Sequence, residues 1–236
     1  MNPYYLNEKD LRPVLIFGSG QLSELAWYCL THDTPYNVVG FVVDDSYLTE
    51  TRTLFDLPII ALSTVQTNYP PVDYRFIVPV GFTDINGFRK EKYLILKEKG
   101  YEFVNYFASN SYIWDTNAIG ENCLIYEHAR VQPFATVGNN VVIRSGVHVS
   151  HHCRIENHVF IGAQTAIGGA SIVRERAFIG IGATIADATV IESQCFIGAG
   201  AVVVKSTQPG LLYVGNPAKN TEKTSQSVTV SKNESV

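Results

Sequence analysis

Residues 173–203 read VRERAF-IGIGAT-IADATV-IESQCF-IGAGAV-V, and the break every six residues decides the fold. Each hexad opens on Ile or Val. Stepping outward by six, that column runs without exception from Ile113 to Val203, sixteen hexads in all. The fifth position is small or β-branched almost throughout: Cys123, Ala129, Ala135, Val141, Val147, Cys153, Val159, Thr165, Ser171, Ala177 and onward to Ala201. Such a short fixed period marks a repeat architecture. A β-branched side chain suits a short strand pointing one residue into a packed interior. Three six-residue sides make one triangular coil of eighteen residues. Stacked coils bury the Ile and Val columns and pair each backbone group with the rungs above and below. Gly often follows the aliphatic residue, as at Gly120, Gly138, Gly162, Gly168, Gly180 and Gly198. A corner with a permissive backbone is expected there.

The residues before the repeat read differently. Val14–Phe17 is a short buried-strand run that ends at Gly18-Ser19-Gly20, and residues 22–30 have helical character. Further strands are expected at Val38–Val43, ending on Asp44-Asp45, at Phe76–Val80 before Gly81, and at Tyr101–Tyr106. Residues 85–99 read as a helix capped by Gly100. Alternating strand and helix implies a small doubly wound α/β domain. Gly18 and Gly20 could let a phosphate approach the backbone at a helix N-terminus. The third glycine of that motif is absent, with Ser23 in its place. Asp44 or Asp45 could accept hydrogen bonds from a ribose or base, or could simply be solvated carboxylates at a strand end. The expected division is an α/β nucleotide-sugar domain at residues 1–108, the repeat at 109–219, and a disordered Ser/Thr/Asn/Lys-rich tail at 220–236.

Composition narrows the function. Net charge is −4 with Lys and Arg scattered, so no basic stripe offers itself to nucleic acid. No run of eighteen apolar residues could span a bilayer, and the first ten residues lack the apolar core of a secretory signal. A cytoplasmic protein without membrane partners is expected. The four cysteines, Cys29, Cys123, Cys153 and Cys195, form no CxxC pair and read as reduced core thiols.

Longer stretches carry a more specific resemblance. Ile179–Thr184, Phe196–Lys205 and Val214-Gly215-Asn216-Pro217-Ala218-Lys219 resemble the late coils and closing motif of the NeuD/PglD-type sugar acetyltransferases, hexapeptide-repeat enzymes that include nucleotide-amino-sugar N-acetyltransferases. The resemblance covers roughly residues 12–219. It implies a Rossmann-like α/β domain followed by a left-handed parallel β-helix, a homotrimer, and acetyl-CoA as cosubstrate in a groove between prisms. By position it puts Gly169, Ile181 and Ala199 along that groove, with Pro217 and Lys219 near its nucleotide end. It implies N-acetylation of a UDP-, dTDP- or GDP-linked amino sugar for bacterial surface glycan. O-acetylation of a sugar such as sialic acid is the alternative.

The same resemblance puts the catalytic residues at His151 and His152, with His151 as the general base. Ser150 stands where the family has a Glu to orient the imidazole, so another carboxylate or a backbone carbonyl is expected to do so. Phe160 and Leu22 also replace family histidines. His suits proton removal near pH 7, and a backbone N–H can hold the oxyanion. No metal is required. The separations among His148, His151, His152 and His158 are three, four, ten, one, seven and six, never the five of a γ-type carbonic anhydrase. A non-catalytic nucleotide-sugar scaffold is the third class, and CoA binding separates it from an enzyme. Cys153 sits beside His151 in sequence but holds an inward position, which argues against a Cys–His nucleophile.

Overall fold

The structure is a computed structural model and describes residues 9–48 and 53–228. The first ten residues, read above as no secretory signal, lie mostly outside the described residues.

The N-terminal part is a six-stranded sheet. Its strands are β1 (Val14–Phe17), β2 (Val38–Val43), β3 (Thr53–Leu54), β4 (Leu57–Ala61), β5 (Arg75–Ile77) and β6 (Glu102–Phe103), and its helices are α1 (Gln21–Asp33), α2 (Val65–Asn68) and α3 (Gly87–Glu98). The order is β3-β4-β2-β1-β5-β6, parallel except for the β3–β4 hairpin. Side chains of β1 alternate. Val14 and Ile16 join α1 and the repeat in one continuous core, while Leu15 and Phe17 join Tyr93 and Leu96 of α3 in a second. The chain steps from β1 to β2 and β4 on one side, then returns to β5 and β6 on the other. This places a topological switch point between β1 and β5, where ligands of open parallel sheets bind.

The remainder is a three-sided parallel β-helix. Two-residue strands recur every six residues, and each pairs with strands eighteen residues away, as Phe160–Ile161 does with Val142–Ile143 and Phe178–Ile179. The first face runs from Tyr106–Phe107 through Phe196–Ile197, the second from Tyr112–Ile113 to Val202–Val203, and the third from Ala118–Ile119 to Val190–Ile191. Tyr106, read above as part of an α/β strand, therefore begins the coil: its backbone N–H donates to Cys123 O. Strand β5 is likewise shorter than expected and ends at Ile77.

The corners correct the reading of the glycines. The left-handed residue is the fourth of each hexad, and side chains other than Gly usually fill it: Asn122, His128, Phe134, Asn140, His152, His158 and Gln164 all have φ between 54° and 66°. The glycine after the aliphatic residue serves close approach instead. A Cβ on Gly180 would lie 2.5 Å from Ala199 N in the next coil.

The tail also departs from expectation. Leu211–Val214 continues the first face, and Lys219–Thr224 returns antiparallel beside it. Residues 220–224 are thus strand, and 229–236 lie outside the described residues.

Buried polar groups lock the two parts together. Arg89 of α3 is fully buried and donates to Val80 O, Gly81 O and Asn86 Oδ1 on one side and to His158 O and Val159 O on the other. Burial pulls its pKa down to about 9, which leaves it cationic at neutral pH. Along the edge between the third and first faces, Asn122 accepts from Val78 N and donates to Asn140, and Asn140 Nδ2 lies 2.8 Å from His158 Nδ1. His158 must then accept at Nδ1. Burial first, and then Lys90, Arg89 and Arg176 against the opposing Glu175, lower its pKa to about 4. A histidine whose folded pKa is depressed loses stability as pH falls from its unfolded value near 6.5 toward the folded one. The unfolding midpoint should therefore drop between about pH 7 and about pH 4.5, at up to about 1.4 kcal/mol per pH unit from this group. Thermal melts of His158→Asn should show a shallower dependence, and parallel curves would acquit His158.

Candidate active site

The residues singled out in the sequence fall in three places. Gly18, Gly20, Asp44 and Asp45 lie at the carboxyl ends of β1 and β2, beside the switch point. Ile181 and Ala199, one coil apart, are exposed on the edge between the first and second faces. His151 and Gly169, also one coil apart, lie on the edge between the second and third. Six residues of extended chain separate the two edges, roughly 15–20 Å.

At the switch point, Gly18 has φ +101°, and a Cβ there would meet Ser23 Oγ at 2.6 Å. Gly20 precedes the first residue of α1 and has open space above it. Ser23 at the third motif position is buried, and its hydroxyl donates to Phe17 O at 3.3 Å. It supplies the close helix–strand packing that glycine gives elsewhere. The aspartates are more committed than their sequence suggests. Asp44 Oδ1 pairs with Lys92 Nζ at 2.9 Å. Asp45 Oδ1 accepts from Ser63 N at 3.1 Å, and hydrogen bonding with Ser63 holds its pKa below the ordinary value.

His151 occupies the third position of its hexad, where the corner turns the side chain outward. Its backbone N–H donates to Gln132 Oε1 at 3.0 Å. Its ring lies over Gly169 of the next coil: a Cβ on Gly169 would stand 2.8 Å from Cε1 and 3.0 Å from Nε2. Gly169 is itself fixed, its N–H donating to Asp187 Oδ1 at 2.6 Å. The partner of His151 Nδ1 is His152 Nδ1, 3.2 Å away. A neighbouring imidazole thus occupies the place where a carboxylate or carbonyl was expected. The His152 ring packs against Phe134 at 4.9 Å between centroids.

Cys153 is buried, and its thiol donates to Gly168 O at 3.1 Å. Burial raises its pKa, so it is neither exposed nor activated as a nucleophile. Among the described residues, no three His, Cys, Asp or Glu side chains group as metal ligands. Among the same described residues, no helix is long and apolar enough to cross a membrane.

The closing hairpin caps the prism above the first and second faces. Val202 N donates to Gly215 O, and Ala218 N donates to Val202 O. Pro217 and Lys219 are exposed at this end, and the Asn216–Pro217 peptide is cis. Along the first face, a groove of about 530 Å³ opens between the two parts of the molecule. Its walls include Ile181 and Ala199 as expected and Leu22, noted above in place of a family histidine, but also Phe82, Phe178 and Phe196, which the motifs did not single out. A signal was present, since Phe160, Phe178 and Phe196 recur every eighteen residues and so stand in one column.

The molecule is thus a hexapeptide-repeat parallel β-helix, consistent with the left-handed kind, preceded by a mostly parallel α/β sheet. The family model described as the GMPPB C-terminal domain matches residues 119–208. Three solved structures are similar along most of the chain. One is a mutant of perosamine N-acetyltransferase from Caulobacter crescentus in complex with CoA and GDP-perosamine, at 23% identity over 91% of this chain and 99% of that one, TM-score 0.82. Another is the acetyltransferase domain of PglB from Neisseria gonorrhoeae in complex with acetyl coenzyme A, at 22% identity, 89% and 100% coverage, TM-score 0.77. The third is WeeI from Acinetobacter baumannii AYE, at 22% identity, 88% and 99% coverage, TM-score 0.74. No curated protein sequence matches the chain. At these identities the likeness establishes a shared fold, as the repeat and the α/β segment led one to expect.

Proposed function

We propose that the chain is an acetyl-CoA-dependent N-acetyltransferase acting on a nucleotide-linked amino sugar. The observation that carries this reading is the outward His151 seated over Gly169, on a prism whose Ile181–Ala199 edge lines a groove against the α/β part. Structures with this fold hold CoA together with GDP-perosamine, which supports the same chemistry here. The α/β sheet is read as a Rossmann-like domain, with Gly18 and Gly20 approaching the nucleotide. The ion pair of Asp44 with Lys92 leaves Asp45, one carboxylate oxygen of which is engaged by Ser63, as the more available acceptor.

In the proposed reaction the sugar amine attacks the thioester carbonyl carbon. Neutral His151 removes a proton from the amine at Nε2. The C–S bond then breaks, and the proton passes to the departing sulfur. For Nε2 to hold a lone pair, Nδ1 must carry the proton, and the contact with His152 Nδ1 favours that tautomer if His152 accepts. When His151 becomes imidazolium, that bond turns charge-assisted and stronger. His152 therefore acts as a positioning residue. His152→Phe should lower kcat about tenfold, leave KM within about threefold and shift the pH–rate profile. An unmoved profile would make His152 merely structural.

The two edges are a full face apart within one chain. We infer that the CoA edge of one copy meets the His151 edge of the next, which three prisms side by side would achieve as a homotrimer. The test of function is thiol release from acetyl-CoA with a panel of UDP-, dTDP- and GDP-linked amino sugars and free sialic acid. Release with a nucleotide-linked amino sugar is expected. Release with sialic acid alone would replace N- by O-acetylation, and no binding of CoA would end the enzymatic reading.

A further inference from the structure

The groove between the coil and the α/β domain is chemically unlike a nucleotide or sugar site. Phe160, Phe178 and Phe196 stack along the first face, with ring centroids 5.5 and 4.4 Å apart. Phe82, from the loop after β5, lies over them at 4.1 Å from Phe178 and 5.6 Å from Phe160. Leu22, from the first turn of α1, completes the wall, and Ile181 stands at the rim, 62% exposed. Arg144 and Thr83 are the only lining side chains with polar atoms. The Arg144 guanidinium lies over the Tyr126 ring at 4.4 Å. Sugar hydroxyls or a base placed here would find only Arg144 and Thr83 as side-chain partners, and each polar group left unpaired would cost at least about 1 kcal/mol.

At the thioester end of the proposed donor the apolar portion is the acyl group. An acetyl group fills roughly three times the ~30 Å³ share of one water. The groove measures about 530 Å³. Ile181 and Ala199, on the edge proposed for CoA, line the same space as the phenylalanines, so a chain leaving the thioester can enter without crossing polar surface.

We propose that this groove is an acyl-chain pocket and that the donor it fits best is an acyl-CoA longer than acetyl, with a straight chain of about four to six carbons. Acetyl is then the smallest donor accepted. This inference rests on the acyl-transfer reading above and specifies its donor. Burying each added methylene is favourable by about the same increment until the pocket is filled. Affinity should therefore rise with chain length.

The test is calorimetric titration of the protein with acetyl-, butanoyl- and hexanoyl-CoA, which needs no acceptor. Hexanoyl-CoA should bind at least tenfold more tightly than acetyl-CoA. Leu22→Trp, which narrows the pocket from the α/β side, and Ala163→Leu, which narrows it from the coil, should each cut that ratio at least fivefold. Circular dichroism confirms that each variant is folded. Equal or falling affinity with chain length, while acetyl-CoA binds, would overturn the pocket and leave acyl transfer standing. A ratio unchanged in both folded variants would also overturn it, by placing the chain elsewhere. Failure of all three thioesters to bind would overturn the acyl-transfer reading and the pocket with it.

Discussion

His151→Ala lowers kcat on the order of 100-fold or more, while KM for acetyl-CoA stays within about threefold. The expectation follows from the position of the ring. It is exposed, outward and at a corner, and contributes nothing to the buried columns. A base that removes a proton in the transition state is worth about 10²–10⁴ in rate. A sugar amine, more nucleophilic than a hydroxyl, puts the effect toward the lower end. Because the side chain is exposed, its loss should leave the fold intact, and surface truncations rarely cost more than about 0.5 kcal/mol. Steady-state kinetics beside a thermal melt checks both halves. Activity within about threefold of the parent would remove His151 as the base.

Gly169→Ala produces nearly as large a loss by a different route. The added methyl would lie 2.8 Å from His151 Cε1, closer than real contacts allow. What must yield is the end of an exposed side chain rather than backbone, so the cost to stability is small. The cost to rate is not, because displacing a catalytic group by about 1 Å loses about 100-fold. The prediction is a kcat near that of His151→Ala, an unfolding midpoint within about 2 °C of the parent, and little further loss when the two substitutions are combined. Independent, multiplying effects in the double variant would show that Gly169 acts on something other than the imidazole. The resemblance assigned Gly169 to the CoA groove. The structure gives it a second reason to lack a side chain.

The coil was almost wholly legible in the sequence because its physics repeats. One aliphatic column and one small-residue column, each read at a step of six, define three faces and the register of every rung. Helix α3 was legible through Gly100, whose φ of +91° ends it. The hairpin of β3 and β4 was not. Its turn residues, Phe55 and Asp56, both adopt left-handed backbone, a conformation that Asp tolerates but that a phenylalanine does not advertise. Phe55 is held there by stacking on Trp27 at 3.9 Å, a contact between elements some thirty residues apart. Nor could the sequence show that Asp44 spends a carboxylate oxygen on Lys92, or that Arg89 would be buried among backbone carbonyls. Such pairings arise only when the α/β domain is laid on the prism. The proposed base His151 and the adjacent His152 were legible only through resemblance, and the contact between their rings was not legible at all. A serine preceding the histidine gives no hint that the next imidazole lies within hydrogen-bond reach.

The proposed chemistry is transfer of an acyl group to the nitrogen of a nucleotide-linked sugar. The most direct measurement is mass spectrometry of such sugars after incubation with the protein and acetyl-CoA, followed by mild alkali. One added acetyl group is expected on an amino sugar and none on the matching hydroxyl sugar, in a product that survives alkali as an amide does. An acetylated hydroxyl sugar whose added mass is lost in alkali would contradict it, as would an unchanged panel in the presence of protein that binds CoA.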